Sequence, residues 1–112
     1  MTNKEWLNRG WKLIEEVNSL EKARDKRIKI RGEKKAEKYT KLIDKKVKEL
    51  IVVHIEILRA INRLTDRKDR MILQLRYLAY MSHEEIARVM EYDETRSVAR
   101  RIDSAAERIV QR

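Results

Sequence analysis

Between Ala36 and Leu64 one set of side chains returns every three or four residues without a miss: Ala36, Thr40, Ile43, Val47, Leu50, His54, Ile57, Ile61 and Leu64. That is the period of one helical face, and a strand cannot produce it. A helix running from Glu33 to Leu64 would be about 48 Å long at ~1.5 Å per residue. Flanking Ile51, Ile55 and Leu58 widen the stripe over its second half. A helix this long with one apolar side needs a second surface along its length, supplied by a hairpin with the preceding helix, by a second copy in a coiled coil, or by both.

Upstream, Trp6, Gly10, Leu13, Val17 and Leu20 alternate steps of four and three, with Leu7, Trp11 and Ile14 beside them. The spacing predicts an amphipathic helix from about Lys4 to Arg24. Gly10 inside it should cost about 1 kcal/mol of helix stability relative to alanine. It marks either a close approach by another helix or a break after a short first turn. Trp6 and Trp11 share a face with Leu7 and Ile14, so they are expected to be packing anchors. Gly32 is the expected hinge between the two long helices.

Three shorter helices are expected from Thr65 to Arg112. Thr65 or Asp66 can cap the first, whose apolar positions are Met71, Ile72, Leu75, Leu78 and Ala79. Ser82 and Glu85 form a capping box for the second, ahead of a stripe of Ile86, Ala87 and Met90. A turn falls at Glu91 to Asp93, and Asp93 is the expected N-cap of the last helix. There Val98, Ile102, Ala105 and Ile109 lie on one side. The far side then carries Arg96, Ser97, Arg100, Arg101, Ser104 and Arg108, which is either a solvated charged face or a nucleic-acid contact. Arginine suits the second use because its planar fork bonds guanine edges in pairs or clamps a phosphate.

The run RMILQLRYLAYMSHEEIARVMEYDETRSVARRIDSAAERI resembles region four of the sigma-70 family. The residues that carry the likeness are Arg76, Tyr77, Ser82, Glu85, Ile86, Ala87 and Val98. The chain also resembles the ArpU-type late transcription regulators of phages and prophages, a likeness that extends upstream to WLNRGWKLIEEVNSL and so covers nearly its whole length. It departs from the usual pattern in a turn that is one residue longer and lacks the common glycine. What the resemblance implies is a helix-turn-helix unit that reads double-stranded DNA, with RNA polymerase as a further candidate partner.

Charge fits a polyanionic partner. There are 28 Lys and Arg against 19 Asp and Glu, a net charge of +9. Most of the excess lies between Glu21 and Glu49, which holds thirteen basic and six acidic residues, whereas Thr65 to Arg112 has ten and nine. This basic arm either touches DNA phosphates or is a solvated helix pair. Cysteine is absent, which excludes disulfides and thiolate metal sites. No apolar run approaches a membrane span, and the first residues lack the apolar core of a signal peptide, so a soluble cytoplasmic protein is expected.

Enzymatic chemistry finds little to build on. HEEIA lacks the second histidine of a zinc-protease motif, and there is no Gly-rich phosphate loop. His54 sits among isoleucines, where a hydrogen-bonded core residue is expected over a ligand. No metal and no cofactor are expected.

The combined expectation is an all-α fold. Residues 1–64 form a long helical hairpin or coiled-coil arm for homodimerisation, with Val47, Leu50, His54, Ile57 and Ile61 along its seam. Residues 65–112 form a sigma-region-four-like three-helix DNA-binding unit. Its last helix would read bases through Arg96, Ser97, Arg100 and Ser104, while Lys68, Arg101 and Arg108 would hold phosphates. The function expected is that of a sequence-specific phage-type transcriptional regulator that is not an enzyme. The alternatives are a sigma-like factor that recruits RNA polymerase and a small-terminase-like DNA-packaging subunit.

Overall fold

A computed structural model describes residues 1–112 with the exception of the Lys35 side chain, and among the described residues it is all helix and turn. The elements are α1 (Asn3–Leu7), α2 (Arg9–Arg31), a 3-10 turn (Glu33–Ala36), α3 (Glu37–Asn62), α4 (Arg67–Tyr77), α5 (His83–Val89) and α6 (Thr95–Glu107). None of these is long and apolar enough to cross a membrane.

The two long helices fold back on each other at Gly32. Its φ of 83° lies in the left-handed region, where a side chain would be strained. Ion pairs from Glu16 to Lys46 (2.9 Å) and from Arg9 to Glu56 (2.8 Å) fix the antiparallel register. The hairpin makes the molecule long, at 51 × 32 × 20 Å with a radius of gyration of 17.0 Å. A compact chain of this length would give about 13 Å.

The helix expected over Lys4 to Arg24 is in fact two helices. Thr2 and Glu5 form a capping box that starts α1 at Asn3, and the chain then bends at Asn8 before α2 continues to Arg31. The bend lets α1 turn away from the hairpin axis and lie against α6. Asn3 Nδ2 donates to the carbonyl oxygens of Ala106 and Ile109, each at 2.9 Å, which satisfies the end of the last helix. Lys4 pairs with Asp103 at 2.9 Å. The apolar core therefore runs across the boundary expected at residue 64: Trp6 and Leu7 from α1 and Ile57, Ala60 and Ile61 from α3 share one cluster with Ile72, Ile86, Val98 and Ile102.

The expected seam along α3 divides. Ile57 and Ile61 are fully buried within the chain's own core, Leu50 and His54 are half-buried, and only Val47 is open. Ile57 and Ile61 are thus used within the chain's own core, while Ile51, Val52, Ile55 and Leu58 beside them on α3 are exposed. The buried side of α3 is the one that faces α2 and α4.

Gly10 is a site of close approach. A Cβ placed there would lie 2.5 Å from the Tyr80 hydroxyl oxygen. That hydroxyl is hydrogen-bonded to Nε2 of His54, and the Tyr80 ring meets Trp11 edge-on at 5.0 Å between centroids. Burial pushes the Tyr80 hydroxyl up to about 12 and lowers the His54 imidazole, so both groups are neutral near pH 7. Gly10→Ala should therefore destabilise the protein by about 1 to 2 kcal/mol, because the overpacking penalty exceeds the ~1 kcal/mol gained in helix propensity. Urea denaturation checks this; a gain in stability would mean that the Tyr80 ring moves aside freely.

Candidate nucleic-acid interface

The last three helices form a tight unit because each begins on a local signal. Asp66 caps α4, its carboxylate accepting the backbone N–H of Lys68 at 2.8 Å and of Asp69 at 3.0 Å. The Asp69 amide, with Lys68 and Arg101, holds the Asp66 carboxyl below its ordinary range. Ser82 and Glu85 make the expected capping box at α5. The Ser82 amide likewise lowers the Glu85 carboxyl.

The turn between α5 and α6 has no glycine but takes a glycine-like conformation. Glu91 sits at φ 59°, and the Tyr92 N–H donates to the Ala87 carbonyl at 2.8 Å, a Schellman closure of α5. The last helix starts later than expected. Its N-cap is Glu94 rather than Asp93, and Glu94 makes no capping bond with its side chain.

Burial on α6 follows the expected stripe: Val98, Ile102, Ala105 and Ile109 are all in the core, joined by Ala106. On α4 the buried face is Ile72, Leu73 and Tyr77, while Met71 and Ala79 of the expected set are exposed. The difference arises because α4 is wedged between α3 and α6 and so buries two adjoining sides.

The polar side of α6 splits into two groups with different chemistry. Arg96 and Arg100 project from the first half of the helix and are exposed. Arg96 has only a loose contact with Glu94 at 3.8 Å, and Arg100 has no ion pair among the described residues. Ser97 and Ser104 lie a step round the helix and are half-buried. The second half of the outward face carries Asp103, paired with Lys4, and Glu107.

Arg101 and Arg108 belong to the other group. Both turn to Asp69, the one charged residue with a fully buried side chain among those described, at 1% exposure. Arg101 Nε donates to one Asp69 oxygen at 2.8 Å, and an Arg108 Nη donates to the other at 2.7 Å. Arg101 also reaches Asp66 at 3.0 Å. Such charge-assisted bonds tie α6 to α4. The expectation that Arg101 and Arg108 stand open for phosphate is corrected accordingly: a buried carboxylate must be paired, and these two guanidiniums pair it. Lys68, in the first turn of α4, remains exposed.

Sequence reasoning missed Asp69 altogether. The available signal was its place three residues after the cap Asp66, on the same side as the core positions Ile72 and Leu73. It also missed the support that Trp11 gives to the end of α4, where its indole N–H donates to the Arg76 carbonyl at 3.2 Å and the Arg76 guanidinium stacks 4.8 Å from the ring centre. Neither histidine has a metal-binding neighbourhood, since no group of three His, Cys, Asp or Glu side chains suited to a metal ion occurs among the described residues.

Residues 31–109 match the model of a family described as a protein of unknown function, DUF1492, which spans the hinge, α3 and the three-helix unit. No curated protein and no solved structure matches the chain.

Proposed function

We propose that this chain, which belongs to the DUF1492 family, is a sequence-specific DNA-binding transcriptional regulator of phage or prophage type that acts as a homodimer. The observation that carries the proposal is the pair Arg96 and Arg100, exposed on the first half of a helix that α4 and α5 brace from behind. In a helix-turn-helix reader it is the first half of the second helix that meets base edges. Arg96 and Arg100 are the base-reading candidates, Ser97 and Ser104 lie at the edge of the contact, and Lys68 is the phosphate candidate. Glu107, exposed at the far end of the helix, would repel a backbone and so favour entry by the first turns.

Selection from a random duplex library at near-physiological salt tests the proposal. An enriched inverted repeat is expected, with half-sites spaced by one helical turn of about 34 Å or a multiple of it. Arg100→Ala should then weaken the selected site by about 1 to 3 kcal/mol, roughly fivefold to 150-fold, and relax the preference at one base pair. If specific and random DNA lose affinity equally, Arg100 is a phosphate clamp. If no DNA is retained, the proposal fails.

A further inference from the structure

With its inward side committed to the chain's own core, α3 leaves an outer side on which charge and apolarity are laid out in order. Steps of three and four put Lys41, Lys45 and Lys48, then Val52 and Ile55, then Arg59 and Arg63 in one exposed row. Val47, Ile51 and Leu58 widen its middle, and the five aliphatic side chains are between 37% and 55% exposed. The row is therefore cationic at both ends and apolar between them, over about 33 Å at ~1.5 Å per residue. Asp44 is its one acid. The ion pairs that α3 makes leave from other sides, Lys46 to Glu16 and Glu49 and Glu56 to Arg9, and none of the five cations of the row has one among the described residues.

We infer that this side of α3 is a docking surface for an amphipathic helix of another protein, apolar along its middle and acidic at both ends. The inference rests on neither the dimer nor the DNA contact of the proposed function. Packed helix on helix, such a partner covers Ile51, Ile55 and Leu58 with its apolar stripe and sets carboxylates beside Lys45, Lys48, Arg59 and Arg63. Flanking charges of this kind decide which helix pairs with which. A second copy of this chain is the wrong partner. Antiparallel, it sets Lys45 and Lys48 against Arg59 and Arg63; parallel, it sets each cation against itself. Duplex DNA fits poorly, because a line of phosphates meets no cation between Lys48 and Arg59, a gap of about 16 Å filled by aliphatic side chains. A lipid surface fits poorly too, since no Trp, Phe or Tyr stands in the row to insert.

The probe is a synthetic, fluorescein-labelled helix with leucine along the middle of one side and glutamate at both ends of it, titrated with the full chain at near-physiological salt and read by anisotropy. One control helix carries lysine in place of glutamate, and another has the same residues in scrambled order. The glutamate helix should bind, and both controls should bind more weakly by about tenfold or more, the lysine helix because like charges then face each other. Ile51→Glu with Ile55→Glu should abolish binding, with unchanged helical circular dichroism because both side chains already face water. A variant with Lys45→Glu, Lys48→Glu, Arg59→Glu and Arg63→Glu should reverse the preference towards the lysine helix, which general stickiness would not do. No binding of the glutamate helix, equal binding of the three helices, binding that survives the isoleucine changes, or no reversal in the charge variant would each overturn the inference. If the protein ignores the glutamate helix but the charge variant loses duplex DNA or phosphatidylserine vesicles that the wild type holds, the row is a phosphate or a lipid surface instead.

Discussion

Leu7→Ala should cost about 3 to 4 kcal/mol of unfolding free energy, although Leu7 lies outside the three-helix unit and outside the family match. Its side chain has no exposure and packs, with Trp6, into the same cluster as Ile57, Ile72, Val98 and Ile102. Truncating a fully buried leucine removes its transfer energy and leaves a cavity, typically a loss of about 2 to 5 kcal/mol. The upper half of that range applies because Leu7 is held from several sides and the site has little room to collapse. Asn3 at the end of α6 and the Lys4 to Asp103 pair keep α1 in place around it. Against the 5 to 15 kcal/mol of an ordinary domain, about 3 to 4 kcal/mol is a large share. Guanidinium denaturation followed by tryptophan fluorescence and by far-ultraviolet circular dichroism measures it. The two probes should report one shared transition, shifted together by the substitution. Two separate transitions, or a loss below about 1 kcal/mol, would mean that α1 is only laid on a unit stable without it.

That coupling was not legible in the sequence, and the reason is physical. Local signals carry local structure: Ser82 with Glu85, Asp66 before α4, Gly32 at the hinge, and the step from Val98 to Ile109 each act within a few residues, so each was open to reading. The bend at Asn8 has no such signal, since Asn8 caps nothing with its side chain and the apolar pattern runs on through it. What makes the bend favourable is distant, namely the carbonyl groups of Ala106 and Ile109 that Asn3 satisfies about a hundred residues later. The seam of α3 shows the same limit in another form. Its period was plain, but period fixes only that one side is apolar, and the stripe is wide enough to serve two surfaces. Which edge turns inward depends on where α2 and α4 come to rest, so Ile57 and Ile61 went inside while Ile51 and Ile55 stayed in water. The charges on α6 follow suit. Arg96 and Arg101 look alike in the sequence, and only the buried carboxylate of Asp69 separates one that is free from one that is held.

Asp69 is where stability and the proposed DNA contact should separate most sharply. Asp69→Asn keeps the shape of the side chain but removes the charge that two guanidiniums share, and it is expected to cost about 3 kcal/mol, the low end for breaking a buried pair. The low end applies because the Arg108 side chain is 56% exposed and that of Arg101 31%, so both can turn partly to water once released. The same release has an opposite consequence for an anion. Two arginines beside Lys68 would then be open to phosphate, and each contact made would steepen the dependence of log affinity on log salt by about 0.9. The variant should therefore melt earlier yet hold random duplex DNA more tightly at low salt, while its preference for a selected site falls, because α6 has lost its brace to α4. Thermal unfolding and DNA titration over a range of salt concentrations read the two effects separately. A variant that loses stability with no change in salt slope would show that Arg101 and Arg108 serve packing alone and lie away from any DNA backbone. One that keeps its stability would show that Asp69 is not the tie between the two helices.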